Sequence, residues 1–110
     1  MTADTVNAYY DPTKNQMVFP AGILQTPYFN QSFPPSMYFG GSGVIMGHEL
    51  THGFDDQGSD YNGYGVLENW WEPQTKAEFD AKTACVINQY SKFEVLPGVF
   101  VNGNLTQGNF

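Results

Sequence analysis

Gly40-Gly41-Ser42-Gly43-Val44-Ile45-Met46-Gly47-His48-Glu49-Leu50-Thr51-His52-Gly53-Phe54 is the stretch that decides the architecture. The glycines loosen the chain, and Ser42 has the side chain of a helix cap. A helix is predicted over Val44 to Phe54. Val44, Ile45, Met46, Leu50 and Phe54 make it apolar on most sides, and a helix apolar nearly all round is a buried one. Gly47 costs about 1 kcal/mol there relative to Ala, which predicts close backbone packing at that point.

Within this helix His48-Glu49-Leu50-Thr51-His52 reads H-E-x-x-H. Side chains four apart differ by about 40° in azimuth and one turn in height, so both imidazoles leave one face and suit one tetrahedral zinc ion. Glu49 lies about 100° round from His48, placed to take a proton from a zinc-activated water without being a ligand. Chance produces such a match in a chain of this composition about once in a thousand. The alternative, two histidines on a solvated face, fits poorly with the apolar residues around them. Asp55, three residues after His52, shares that face if the helix continues. It reads either as a carboxylate that orients an imidazole or as a plain helix-end acid. Glu68 and Glu72 are ligands by type, but their spacing says nothing. A structural zinc module is excluded for want of four N or S ligands.

Around this centre, Val6 to Tyr10 and Gln16 to Phe19 read as the strands of a hairpin. Asp11-Pro12-Thr13-Lys14-Asn15 supplies the turn, and Pro20 ends the second strand. Ala21 to Phe39 reads as an irregular connection and Asp55 to Gly65 as a loop. Pro73 opens a second, amphipathic helix running to about Tyr90, with Phe79, Thr83, Val86 and Tyr90 on one face and Glu78–Lys82 as an i,i+4 pair. No regular element is predicted from Val95 to Phe110. The fold class is α+β.

The chain has 110 residues, enough for one domain or part of one. Charged residues are 14%, against about 25% in an ordinary soluble domain, so its faces are expected to pack against more protein. The net charge of −7 comes with four lysines and no arginine, which excludes a phosphate-binding surface for nucleic acid. No apolar run approaches the roughly 20 residues of a membrane span, so direct membrane insertion is not expected. Met1 to Tyr10 lacks the basic and apolar regions of a signal peptide. Cys85, the one cysteine, is either a buried thiol or half of a bridge to something outside this chain.

Longer stretches carry a resemblance. Val6-Asn7-Ala8-Tyr9-Tyr10, Val18-Phe19-Pro20-Ala21-Gly22-Ile23-Leu24-Gln25 and Gly47-His48-Glu49-Leu50-Thr51-His52-Gly53-Phe54-Asp55-Asp56-Gln57-Gly58 closely resemble the neprilysin / endothelin-converting-enzyme family of zinc endopeptidases. Asn69-Trp70-Trp71 and Cys85 to Tyr90 fit as well, so the match runs over about residues 6 to 108. The resemblance implies a gluzincin: a thermolysin-like catalytic domain in a larger, mostly helical ectodomain, membrane-anchored or secreted. It implies cleavage of oligopeptides on the amino side of hydrophobic residues. One Zn2+ would be held by His48 and His52, with Glu49 as general base and Asp55 as the aspartate behind the ligands. Asn7 and Ala8 would hold the substrate backbone from an edge strand, which offers unpaired groups to an extended peptide. Ile23, Val44 and Ile45 would wall the hydrophobic S1′ pocket. Val44 and Ile45 share the face of His48, and ordinary core is the alternative for them.

Other features depart from that family. Its third zinc ligand is the Glu of a G-E-N-x-x-D helix, where this chain has Gly108-Asn109-Phe110. The family's downstream oxyanion-stabilising His and Arg have no counterpart, and Cys85 matches a cysteine whose partner lies elsewhere. The expectation is a partial metallopeptidase catalytic domain over residues 1–110, working with the rest of a parent ectodomain. The alternative is a catalytically inactive fragment or pseudoenzyme with residual zinc or peptide binding. Asn30-Gln31-Ser32 and Asn104-Leu105-Thr106 are candidate glycosylation triplets, consistent with an extracellular parent.

Overall fold

The hairpin forms, but shorter and displaced. In the computed structural model, which describes residues 1–109, strand β1 is Tyr9–Asp11 and β2 is Gln16–Val18. They pair antiparallel with Tyr9 opposite Val18 and Asp11 opposite Gln16. The turn follows from its residues. Asp11 Oδ1 accepts from Thr13 N at 3.1 Å and from Thr13 Oγ1 at 2.6 Å, and Asn15 takes a left-handed φ of 48°. The register explains why Val6 to Ala8 stay out of the ladder. Continuing it would set Asn7 opposite Pro20, which has no N–H to give. Asn7 and Ala8 therefore precede the strand rather than lie in it.

The segment Ala21 to Phe39 is not wholly irregular. A 3-10 turn at Ala21–Ile23 is followed by helix α1, Pro35–Gly40, which has Pro in its first turn. The Pro34-Pro35 pair was the available signal. Gly41, at φ −97° and ψ −94°, breaks the helix, and α2 begins at Ser42. A Cβ on Gly41 would lie 2.6 Å from the Tyr28 carbonyl oxygen, so only glycine fits this corner. Ser42 is not the cap. It lies in the first turn of α2, where its N–H and Oγ donate to that carbonyl at 3.1 and 2.7 Å.

Helix α2 spans Ser42–Thr51 and tightens into a 3-10 turn at His52–Phe54. The buried helix expected here is not found within this chain. Val44 is 62% exposed and Leu50 55%, and Glu49 is the buried residue of α2. Nor does Gly47 allow a close approach, since nothing lies within 4 Å of where its Cβ would be. The hairpin and α1 cover part of the helix and leave its other sides open. Among the described residues the buried apolar core is Ala8 and Ile23. The accessible surface is 7724 Å², against about 6,100 Å² for a compact monomer of this mass.

A second 3-10 turn occupies Gly58–Asp60, and α3 runs over Pro73–Tyr90 as the pattern requires. Phe79, Thr83, Val86 and Tyr90 are the half-buried stripe of α3. Its ion pair among the described residues is Lys76–Asp80 at 2.5 Å rather than Glu78–Lys82, and Glu78 accepts from Gln74 Nε2 at 3.2 Å. The last stretch is more ordered than its glycines suggest. Strands β3, Glu94–Leu96, and β4, Val99–Phe100, are joined through Pro97-Gly98, with Gly98 at φ 78° as a type II turn requires. Helix α4, Gly103–Thr106, is capped by Asn102 and leads into a 3-10 turn at Gln107–Asn109. Among the described residues no helix is long and apolar enough to cross a membrane.

Candidate metal centre

The last turn of α2 carries His48, and the 3-10 turn that continues it carries His52 on the same face, as i,i+4 spacing dictates. Their Nε2 atoms are 3.1 Å apart and the rings stand at 84°. Two nitrogens bound tetrahedrally to zinc at 2.0–2.1 Å are about 3.3 Å apart, so this pair fits two corners of such a site. Asp55 fixes which nitrogen is free. Its Oδ2 lies 2.8 Å from His52 Nδ1. A carboxylate only accepts, so Nδ1 carries the proton and the lone pair sits on Nε2, the atom that faces His48.

Asp55 is not delivered by a continuing helix. The chain leaves the 3-10 turn and Asp55 is extended, at φ −75° and ψ −174°. Its carboxylate then folds back, because Oδ1 accepts from Gln57 N at 2.9 Å and Gly58 N at 2.7 Å. Both oxygens are thus committed. Gly58 makes this possible: a Cβ there would lie 1.8 Å from the His52 carbonyl oxygen. Sequence reading missed Gly58, whose signal was its place three residues after the aspartate.

Glu49 is 4% exposed as a residue. No described buried side-chain oxygen or nitrogen lacks a partner, and among the described residues its carboxylate has no hydrogen bond, so its oxygens open onto the cleft. The same cleft is lined by Asn7, Ala8, His48, His52 and Asp55, so the structure brings these six residues together. Asn7 Oδ1 accepts from Ala8 N at 2.9 Å. Tyr10, missed in the sequence, also lines the cleft and donates to Asn15 Oδ1 at 2.6 Å. Burial, and then the charges of Asp11 and Asp55, raise its pKa above the usual phenol value.

Other predicted residues lie elsewhere. Ile23 and Ile45 line a separate apolar hollow with Phe19 and Tyr28, and Val44 lines neither. Glu68 accepts from Asn62 Nδ2 and Glu72 precedes α3, both outside the cleft. Among the described residues no third His, Cys, Asp or Glu joins the two imidazoles as a ligand group. Asn30 and Asn104 are exposed, and so is the Cys85 thiol, which is not buried.

Comparison with known proteins agrees with this geometry. The model of peptidase family M13 matches residues 7–110. The endothelin-converting enzyme homolog of Locusta migratoria is 56% identical over 108 residues, covering 98% of this chain and 15% of that protein. Endothelin-converting enzyme 1 of Homo sapiens is 52% identical over 108 residues, covering 98% of this chain and 14% of that protein. The crystal structure of the Mycobacterium tuberculosis zinc metalloprotease ZMP1 with an inhibitor superposes with a TM-score of 0.93 at 45% identity, over 98% of this chain and 17% of that one. The chain thus spans about one seventh of the length of these curated relatives. The mixture of helices and small sheets is that of these metalloprotease structures, and the expected kinship with neprilysins and endothelin-converting enzymes holds. The chain belongs to peptidase family M13.

Proposed function

We propose that residues 1–110 are the zinc-holding part of a thermolysin-like catalytic domain that hydrolyses oligopeptides on the amino side of hydrophobic residues. The observation that carries this reading is the 3.1 Å approach of His48 Nε2 and His52 Nε2, with Asp55 holding the His52 tautomer. His48 and His52 would hold Zn2+ through these atoms. When bound, zinc lowers the pKa of a water towards neutrality and polarises a carbonyl.

The chain's own groups supply the rest. Glu49 takes the proton of the attacking water on its carboxylate and returns it to the departing amine as the C–N bond breaks. Asp55 keeps His52 oriented. Asn7, whose amide nitrogen has no acceptor among the described residues, and Ala8 hold the substrate backbone beside the hairpin. The apolar hollow at Ile23 and Ile45 takes the hydrophobic side chain after the scissile bond. The apolar sides of α2 meet the rest of a parent ectodomain, extracellular and glycosylated at Asn30 and Asn104.

Equilibrium dialysis tests the carrying observation. With only two protein donors, the 110-residue chain should bind one zinc weakly, and His52→Ala should abolish binding. Zinc held equally well after both histidines are replaced by alanine would overturn the assignment. A chimera with this segment in place of the corresponding stretch of a full-length relative tests the reaction: chelator-sensitive cleavage of a peptide with Phe or Leu after the scissile bond is expected.

A further inference from the structure

Two indole N–H groups converge on one carbonyl. Trp70 Nε1 donates to the Ser59 carbonyl at 3.0 Å, and Trp71 Nε1 donates to the same oxygen at 2.7 Å. A carbonyl oxygen has two lone pairs, so the pair saturates it. Ser59 is 3% exposed and is the middle residue of the 3-10 turn Gly58–Asp60. Trp71 in turn packs on Phe79 of α3, with ring centroids 5.3 Å apart, and on Trp70 at 4.9 Å.

This turn touches the metal centre in two ways. Ser59 N donates to the Asp55 carbonyl at 3.0 Å, while the N–H groups of Gln57 and Gly58 grip Asp55 Oδ1. The backbone of Gly58 also lies against the His52 carbonyl, with no room for a methyl group between them. Any shift of Ser59 therefore moves the donors that aim the Asp55 carboxylate, and presses on or withdraws from His52 itself. The Trp pair holds the carbonyl of the same residue whose N–H donates to Asp55.

We propose that Trp70 and Trp71 are positioning residues for the metal centre: their paired indole N–H groups set the Gly58–Asp60 turn, which aims Asp55 at His52 Nδ1 and so aims His52 Nε2. This rests on the metal role proposed for His48 and His52. The pair acts through the turn and touches neither histidine. Partners that stand behind metal ligands are typically worth about 10–100-fold in metal affinity.

The test uses the 110-residue chain with Trp70→Phe, Trp71→Phe and the double variant, which keep aromatic rings and remove the N–H donors. Zinc affinity is read by competition with a chromophoric chelator, and geometry by the visible absorption of bound cobalt(II). The double variant should bind zinc about 10–100-fold more weakly and show an altered cobalt spectrum. Each single variant should lose less, since one donor remains. Gly103→Ala is the control for stability: its Cβ would meet the Ile87 carbonyl at 2.2 Å, loosening α4 from α3. It should lower the unfolding midpoint without changing zinc affinity. Unchanged affinity and spectrum in the double variant overturn the proposal, as does an equal loss in Gly103→Ala at matched destabilisation. If the double variant loses its far-UV signal, the single variants decide by the same criterion. Zinc binding that survives loss of both histidines overturns the metal reading instead, and is seen separately.

Discussion

The two sides of α2 are finished to different degrees. On the cleft side, the Asp55 carboxylate is matched on both oxygens, His52 Nδ1 has its acceptor, and the Ser59 carbonyl has two donors. On the outer side Met46 and Leu50 are left about half exposed, at 47% and 55%. The β3–β4 hairpin repeats this, with Val95, Leu96, Val99 and Phe100 all more than half exposed. The difference is one of chemistry. A hydrogen bond needs a partner of fixed direction, and leaving one unmet under cover costs about 1–3 kcal/mol. Such partners are best drawn from residues close in sequence. Apolar surface is non-directional and is satisfied by whatever covers it, however distant in the chain. The charge content of 14% already pointed to faces made for further protein.

The largest expected effect breaks the cleft side. In the chimera, Glu49→Gln should cut turnover by about 10²–10⁴-fold, the usual worth of a positioned general base. Zinc stoichiometry should hold, because Glu49 is not a ligand in this reading. Loss of zinc together with activity would show that Glu49 has another role. Leu50→Lys sharpens the contrast next. At 55% exposure it should change the stability of the 110-residue chain by no more than about 0.5 kcal/mol. In the chimera, where the rest of the protein is expected to cover that side, it should cost about 2–5 kcal/mol, measured as a shift in the denaturation midpoint. Equal effects in both settings would mean that the outer side of α2 stays bare.

A smaller effect is expected at Gly47, whose Cβ position is empty space. Gly47→Ala should stabilise the 110-residue chain by about 1 kcal/mol through helix propensity alone. Destabilisation in thermal unfolding would mean a neighbour occupies that space. The smallest effect is at the hairpin turn. The Thr13 hydroxyl first, and then Lys14, hold the Asp11 carboxyl below the usual Asp value, and Asp11 raises Lys14. A depressed folded pKa means that Asp11 supports the turn above its unfolded value of about 3.9, and that this support is lost as pH falls through the folded value. Lys14 has the opposite sign: its support is present below its unfolded value and lost as pH rises through the raised one. The Thr13 amide resonance should follow the acid step, and Asp11→Asn should remove it.

Sequence alone gave away the elements that are local in cause. The 18 residues of α3 follow from one proline and a 3.6-residue stripe. The histidine pair follows from i,i+4 spacing, and the hairpin turn from Asp, Pro and Asn. The strand limits did not follow, because they depend on what stands across the ladder, and Pro20 stops it from the far side. Helix α1 and the β3–β4 hairpin were hidden by a composition reading that weighed prolines and glycines as breakers. Pro34-Pro35 in fact starts a helix, and Pro97-Gly98 shapes a turn. Asp55 was right in spacing but for a different reason, since a turn rather than a helix brings it back. The Trp70–Trp71 grip on Ser59 had no signature, because a carbonyl two tryptophans share leaves no mark in residue type.

The Asp55 turn also bears on the order of events in folding. His48, His52, Asp55, Gln57 and Gly58 are drawn together over very short loops, and closing such loops costs little chain entropy. Contacts of low sequence separation form early and fast, ahead of those joining distant segments. The imidazole pair can therefore be assembled while the outer side of α2 is still bare. An ion arriving at that stage would stabilise the half-built segment by mass action, since it binds the folded form in preference to the unfolded one. The histidine turn would then serve as a nucleus around which the remaining apolar cover condenses.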